Sequence, residues 1–198
     1  MKFILLTAII ALSSTSFSLK ATEPDVDYDR GIQLLDAGLY KDALKAFGRS
    51  AKKGNLDAEY QIGIMFLEGQ GINPNPEDAA YWFRKAAQNG HAASQFEIGY
   101  CFLNGTGVQK DERMAGEWFW RAAEQGDPDA ALLVARMYRN GTGMKQDTEM
   151  ARKYFRIAAD AGIEEAKSEL DRLPAPIKSL QNRLITKGSA NKWITYCR

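Results

Sequence analysis

Gly69-Gln70-Gly71-Ile72 returns as Gly105-Thr106-Gly107-Val108 and again as Gly141-Thr142-Gly143-Met144, a step of 36 residues each time with no insertion. A second block keeps the same step. Ala79, Trp82, Phe83, Ala86, Ala87 and Gly90 recur as Ala115, Trp118, Phe119, Ala122, Ala123 and Gly126. The third copy reads Ala151, Tyr154, Phe155, Ala158, Ala159 and Gly162. A fixed period of this length marks stacked supersecondary units, none of which buries its apolar face alone. The reading is an all-α fold, a solenoid of antiparallel helix pairs. Such folds offer an extended surface in place of a closed pocket, so binding is expected ahead of catalysis.

Within one unit the pattern predicts a first helix from about Ala58 to Glu68, ended by Gly69 in a left-handed conformation that other residues avoid. Asn75 then offers a side-chain cap, Pro76 fits the first helical position, and Glu77 and Asp78 complement the helix dipole. Asp111 and Asp147 take the capping place in later copies. Ala79, Trp82, Phe83, Ala86 and Ala87 fall on the i, i+3, i+4, i+7, i+8 stripe of a helix buried along one side. Gly63, Gly99 and Ala135 align, and small side chains there are expected to let two helix backbones approach. The column Trp82, Trp118, Tyr154 reads as core.

The ends depart from the period. Residues 28–57 form a shorter relative of the unit, with Gly31, Leu34, Gly38, Tyr40, Ala43, Phe47 and Ala51 at tetratricopeptide spacing. Ile163 to Leu173 opens a further first helix that Pro174 stops, and Ile177, Leu180 and Leu184 mark a short amphipathic helix. Both ends are expected to cap the stack. Boundaries follow from the phase: 22–27 a short linker, 28–57 the N-terminal repeat, then 58–93, 94–129 and 130–166, with 167–198 as capping helices and a basic tail.

Lys2, the apolar run Phe3 to Leu12 and the small polar stretch Ser13 to Ser18 read as a secretory signal peptide, residues 1–21, with cleavage after Ala21 or Ser18. Ten apolar residues are too few to span a bilayer, so no transmembrane span is expected in the mature chain. Its setting is then periplasmic, or otherwise extracellular. Past Leu173 there is no Asp or Glu, while Lys178, Arg183, Lys187, Lys192 and Arg198 make the tail basic. In an exported chain that asymmetry suits an anionic envelope surface or an acidic protein, and not nucleic acid. Cys101 and Cys197 could bridge in an oxidising compartment. Cys101 also holds the register of Met65 and Met137, which reads as a small core hydrophobe, and both readings stand.

The motif Ala58…Ile62-Gly63…Phe66…Gly69-Gln70-Gly71-Ile72…Ala79…Trp82-Phe83…Ala86-Ala87…Gly90…Ala93 resembles the Sel-1-like repeat family of the tetratricopeptide superfamily. The resemblance implies a right-handed α-solenoid whose first helices line a concave face. It also implies an adaptor role: members include a degradation-complex subunit of the endoplasmic reticulum, exported bacterial proteins and a component of a sodium-driven flagellar motor. One cysteine-rich subgroup binds or slowly hydrolyses penicillins. This chain holds one cysteine within its repeats and departs from that pattern.

Carried onto the first helices, the resemblance implies a partner-binding groove formed by Tyr60, Ile64, Phe96, Tyr100, Arg136 and Arg139, apolar in its N-terminal half and basic in its C-terminal half. The expected partner is another protein, with an envelope polysaccharide as the competing reading. Trp120 breaks a column otherwise held by Arg84 and Arg156, and is expected to receive the tail residues Trp193 and Tyr196. Enzyme chemistry finds little support. His91 is the single histidine, no nucleophile elbow or phosphate loop is present, and the Gly-x-Gly turns recur in phase with no lysine or acidic partner. No catalytic residue, metal or cofactor is expected. If the aromatic column is core, Trp118→Ala should cost about 3–5 kcal/mol in chemical unfolding.

Overall fold

The computed structural model describes residues 25–174. The signal peptide, the amphipathic helix from Ile177, and Trp193, Tyr196 and Cys197 lie outside the described residues. Among those described, nine α-helices follow one another: α1 Val26–Asp36, α2 Tyr40–Lys52, α3 Leu56–Glu68, α4 Pro76–Gln88, α5 Ala92–Asn104, α6 Glu112–Glu124, α7 Pro128–Asn140, α8 Thr148–Asp160 and α9 Glu164–Arg172. The extensive contacts all join consecutive helices, the pattern of a quasi-one-dimensional stack. The chain is an all-α repeat solenoid.

Caps set the helix lengths. The first helices start two residues ahead of expectation because Asn55, His91 and Asp127 each accept a backbone N–H three residues on, from Ala58, Ser94 and Ala130. His91, the single histidine, is therefore a helix cap. Asn75, Asp111 and Asp147 cap α4, α6 and α8 as expected, with Pro76 opening α4. Pro174 follows directly on the end of α9.

The inter-helix loop carries the period. Gly105 ends α5 at φ +77°, donating its N–H to the Cys101 carbonyl at 2.8 Å. Gly107 at φ +67° then brings the loop against the start of α4: a Cβ built on it would stand 1.9 Å from the Pro76 carbonyl oxygen. Gly143 meets the Glu112 carbonyl at the start of α6 in the same way, and Gly71 meets Tyr40 at the start of α2. The second glycine thus seats each unit on its predecessor.

Glycine also sits under the aromatic core. A Cβ on Gly99 would lie 2.7 Å from the Phe119 ring, and one on Gly63 would lie 2.5 Å from the Phe83 ring. Gly31 stands against Phe47 likewise, which identifies the N-terminal pair as the same unit. The small column therefore admits a ring from the partner helix where a Cβ would otherwise stand. Phe47, Phe83, Phe119 and Phe155 are all fully buried.

One core expectation is corrected. Trp118 and Tyr154 are buried, but Trp82 is only partly so, with Tyr81 edge-on at 5.6 Å and Lys85 over its ring at 4.7 Å. Trp82 packs toward the α1–α2 pair, whose connecting loop is three residues long against seven in the later units. That smaller pair covers less of the indole. Between units, buried Gln95 donates to the Ala87 carbonyl at 3.2 Å and accepts from Gln125 at 2.8 Å, tying α5 to the C-terminal ends of α4 and α6.

Two glycines separate seating from conformation. Gly107 and Gly126 both have positive φ, but nothing lies within 4 Å of a Cβ at Gly126. Gly126→Ala should cost about 1 kcal/mol from backbone strain alone, whereas Gly107→Ala should lose at least about 2 kcal/mol more, read from urea midpoints.

Candidate functional site

The expected groove residues fall on α3, α5 and α7. Their first helices carry apolar side chains beyond the buried stripe, and these divide into packed and open groups. Tyr60 is half-buried, its ring 5.9 Å from Phe83 and 5.3 Å from His91. Ile64 leans on the cluster that contains Phe83 and Ile98. Both serve packing between units. Phe96 and Tyr100, one turn apart on α5, meet edge-on at 5.0 Å, and both rest on Phe119, at 5.6 and 5.4 Å. Tyr100 stays 37% exposed, so the buried phenylalanine fixes the orientation of an aromatic that solvent still reaches.

The basic half is closer to neutral than the sequence suggests. Arg136 is ion-paired with Glu165, and Arg139 with Glu169, both carboxylates supplied by α9. Arg139 also lies over the Phe155 ring at 5.7 Å. Reading α7 alone sees two cations; the capping helix, 30 residues on, supplies the counter-charges. Glu169 is 9% exposed and holds Arg172 as well, at 3.6 Å. Beside Arg136 lies a recess of about 160 Å³, lined also by Leu103, Leu133, Asn140 and Thr142 over Phe119 and Met137.

The apolar half holds an acid. Glu97 on α5 is half-buried, and burial pushes its carboxyl above the usual range. Its charge acts on both the Tyr60 hydroxyl and the Cys101 thiol. Residues Gln61, Glu97 and Leu133 share this register, and the break in that column was the available signal. Cys101 is 4% exposed, and burial pushes its thiol up to about 11. Its proposed partner Cys197 lies outside the described residues.

Trp120 stands on α6 with 42% exposure, in the outward register expected, beside the Tyr154 hydroxyl. That hydroxyl donates to Glu124 at 2.7 Å, which lowers the Glu124 carboxyl, while burial raises the phenol. Among the described residues no group of three or more His, Cys, Asp or Glu side chains could hold a metal ion. No described helix is long and apolar enough to cross a membrane.

The Sel1 repeat profile matches residues 56–91, 92–127 and 128–163. Among solved structures, the chain is similar to a protective antigen of uropathogenic Escherichia coli strains that displays an SLR fold. That match has 29% identity, covers 73% of this chain and 32% of that one, and has a TM-score of 0.69. It is similar also to a Sel1 repeat protein from Oxalobacter formigenes, at 30% identity, 72% and 59% coverage and a TM-score of 0.69. Helicobacter pylori cysteine rich protein B matches at 25% identity over 66% of this chain and 96% of that one, with a TM-score of 0.51. The chain thus spans about a third of the first relative and 59% of the second. No curated protein matches the sequence.

Removing one side of the α7–α9 pairing tests its weight. Glu169→Gln should destabilise α9 by about 1–2 kcal/mol, a buried-pair loss discounted for the one-third exposure of Arg139. Faster hydrogen exchange in 164–172 with α3–α6 unchanged is the expected readout.

Proposed function

Because the chain belongs to the Sel1 repeat family, we propose that it is a non-catalytic adaptor that grips a segment of another protein along its first helices. The observation that carries this reading is the Phe96–Tyr100 pair seated on Phe119, next to the Arg136 recess. A half-exposed tyrosine held rigid by buried neighbours loses little entropy on contact, and Tyr and Arg are enriched at interface hot spots. Tyr60 and Ile64 continue the first-helix surface toward the N-terminus, packed on the Phe83 and Ile98 cluster, and Arg139 pairs with the capping helix.

The apolar run Phe3–Leu12 supports export through a signal peptide, with the periplasm as the favoured compartment. The basic tail after Leu173 supports an additional contact with an anionic envelope surface. The second reading, an envelope-polysaccharide scaffold, draws on the same exposed Tyr100, since aromatic faces stack on sugars.

Pull-down from a periplasmic extract compares the parent chain with the double variant Tyr100→Ala/Arg136→Gln. Capture of a discrete protein by the parent, lost in the variant with the thermal midpoint within about 3 °C, is expected for a surface site. Retention on cell-wall fractions in its place would favour the polysaccharide reading, and a collapsed midpoint would make the two residues core.

A further inference from the structure

A cleft of about 510 Å³ opens where the loop before α6 meets α4 and α5. Arg84 enters it from α4, Phe102 from α5, and Val108, Lys110 and Asp111 from the loop. The Arg84 guanidinium lies 5.4 Å from the centre of the Phe102 ring. Its neighbours are engaged elsewhere: Lys85 with Glu59 at 2.7 Å, Lys110 with Glu112 at 3.3 Å, and Asp111 with the N–H of Met114 at 3.0 Å. Among the described residues, Arg84 has its ring contact alone.

The fold does not require an arginine here. The same register holds Gly48, Trp120 and Arg156 in the other units, residues with nothing in common as packing elements. At the next junction Tyr138 replaces Phe102 and stacks on Tyr154 at 6.0 Å, while Trp120 lies beside the Tyr154 hydroxyl. Exposed Arg84, Trp120 and Arg156 thus form a cation–aromatic–cation column along the second helices. Its three residues stand on α4, α6 and α8, whereas Tyr100 and Arg136 stand on α5 and α7; α5 reaches the cleft through Phe102 alone.

We propose that this column binds an acidic peptide segment, one carboxylate taking the Arg84 fork in the cleft, an apolar side chain lying on Trp120 and a further carboxylate meeting Arg156. A guanidinium held against a ring face keeps its N–H edge free for two parallel hydrogen bonds to a carboxylate. Phe102 and Val108 line the apolar side of the approach. Every second residue of an extended chain faces one side, so a segment with acidic, apolar and acidic residues at alternate positions presents them together to the column.

The test uses the full chain and a fluorescein-labelled peptide of the repeat Glu-Ser-Leu-Ser, which in extended form sets Glu and Leu alternately along one face, with the Gln-Ser-Leu-Ser peptide as control, in an anisotropy titration. Saturable binding of the acidic peptide alone is expected. Arg84→Gln should weaken it roughly tenfold, Arg84→Lys should weaken it several-fold because the charge stays and the fork goes, and Trp120→Ala should also weaken it. Arg113→Gln, which removes a cation already paired with Glu117, should leave it unchanged. Thermal midpoints report that each variant is folded. Absence of saturable binding, equal binding of the Gln-Ser-Leu-Ser peptide, equal loss in Arg113→Gln, or binding of an oligouronate in place of the peptide would each overturn the proposal.

Discussion

The structure depends on a phenylalanine ring pressed onto a helix backbone where there is no side chain. Phe83 on Gly63 and Phe119 on Gly99 bring the two helices of a unit into register without spending volume on a Cβ. Each ring is fully buried, so a displacement is felt by every atom it touches. From this seat the rest follows. The ring aligns the pair, the aligned pair places the seven-residue loop, and the loop's second glycine rests on the preceding unit. The 36-residue period is the sequence record of that chain of contacts.

The same seat shapes the surface. Phe119 lies under Gly99 on one side and supports Phe96 and Tyr100 on the other. A core residue thereby fixes the orientation of an exposed one. The third unit carries Ala135 in place of the glycine, and its ring, Phe155, lies under Arg139. The unit adjoining the capping helix therefore meets the cap with an arginine anchored both by aromatic and by carboxylate contacts.

Much of this was legible in the sequence because repetition prints local chemistry three times. Caps at Asn75, Asp111 and Asp147, the left-handed Gly105 and the buried phenylalanines all follow from residue type and phase. What escaped depends on distance along the chain. The arginines of α7 read as a basic half-groove until Glu165 and Glu169 of α9 are seen beside them. Trp82 matches Trp118 in register, yet its burial depends on the size of the preceding unit, which the motif does not encode. Glu97, which the period does not single out, is half-buried, and its charge acts on Tyr60 and Cys101. Period predicts contacts within and between equivalent units; it is silent wherever the repeat is broken.

The central claim is that the ring-on-glycine seat aligns the helix pairs built on Gly31, Gly63 and Gly99, and that its effect passes mainly to adjoining units. Gly99→Ala isolates it, since Gly99 sits in a helix interior where alanine is intrinsically favoured by roughly 0.5–1 kcal/mol. Hydrogen exchange by mass spectrometry should show faster exchange in both 92–104 and 112–124, smaller changes in the adjoining pairs, and none in 26–52. Unchanged or slower exchange in α6, as helix propensity alone would give, or an equal rise across the whole chain would contradict the account.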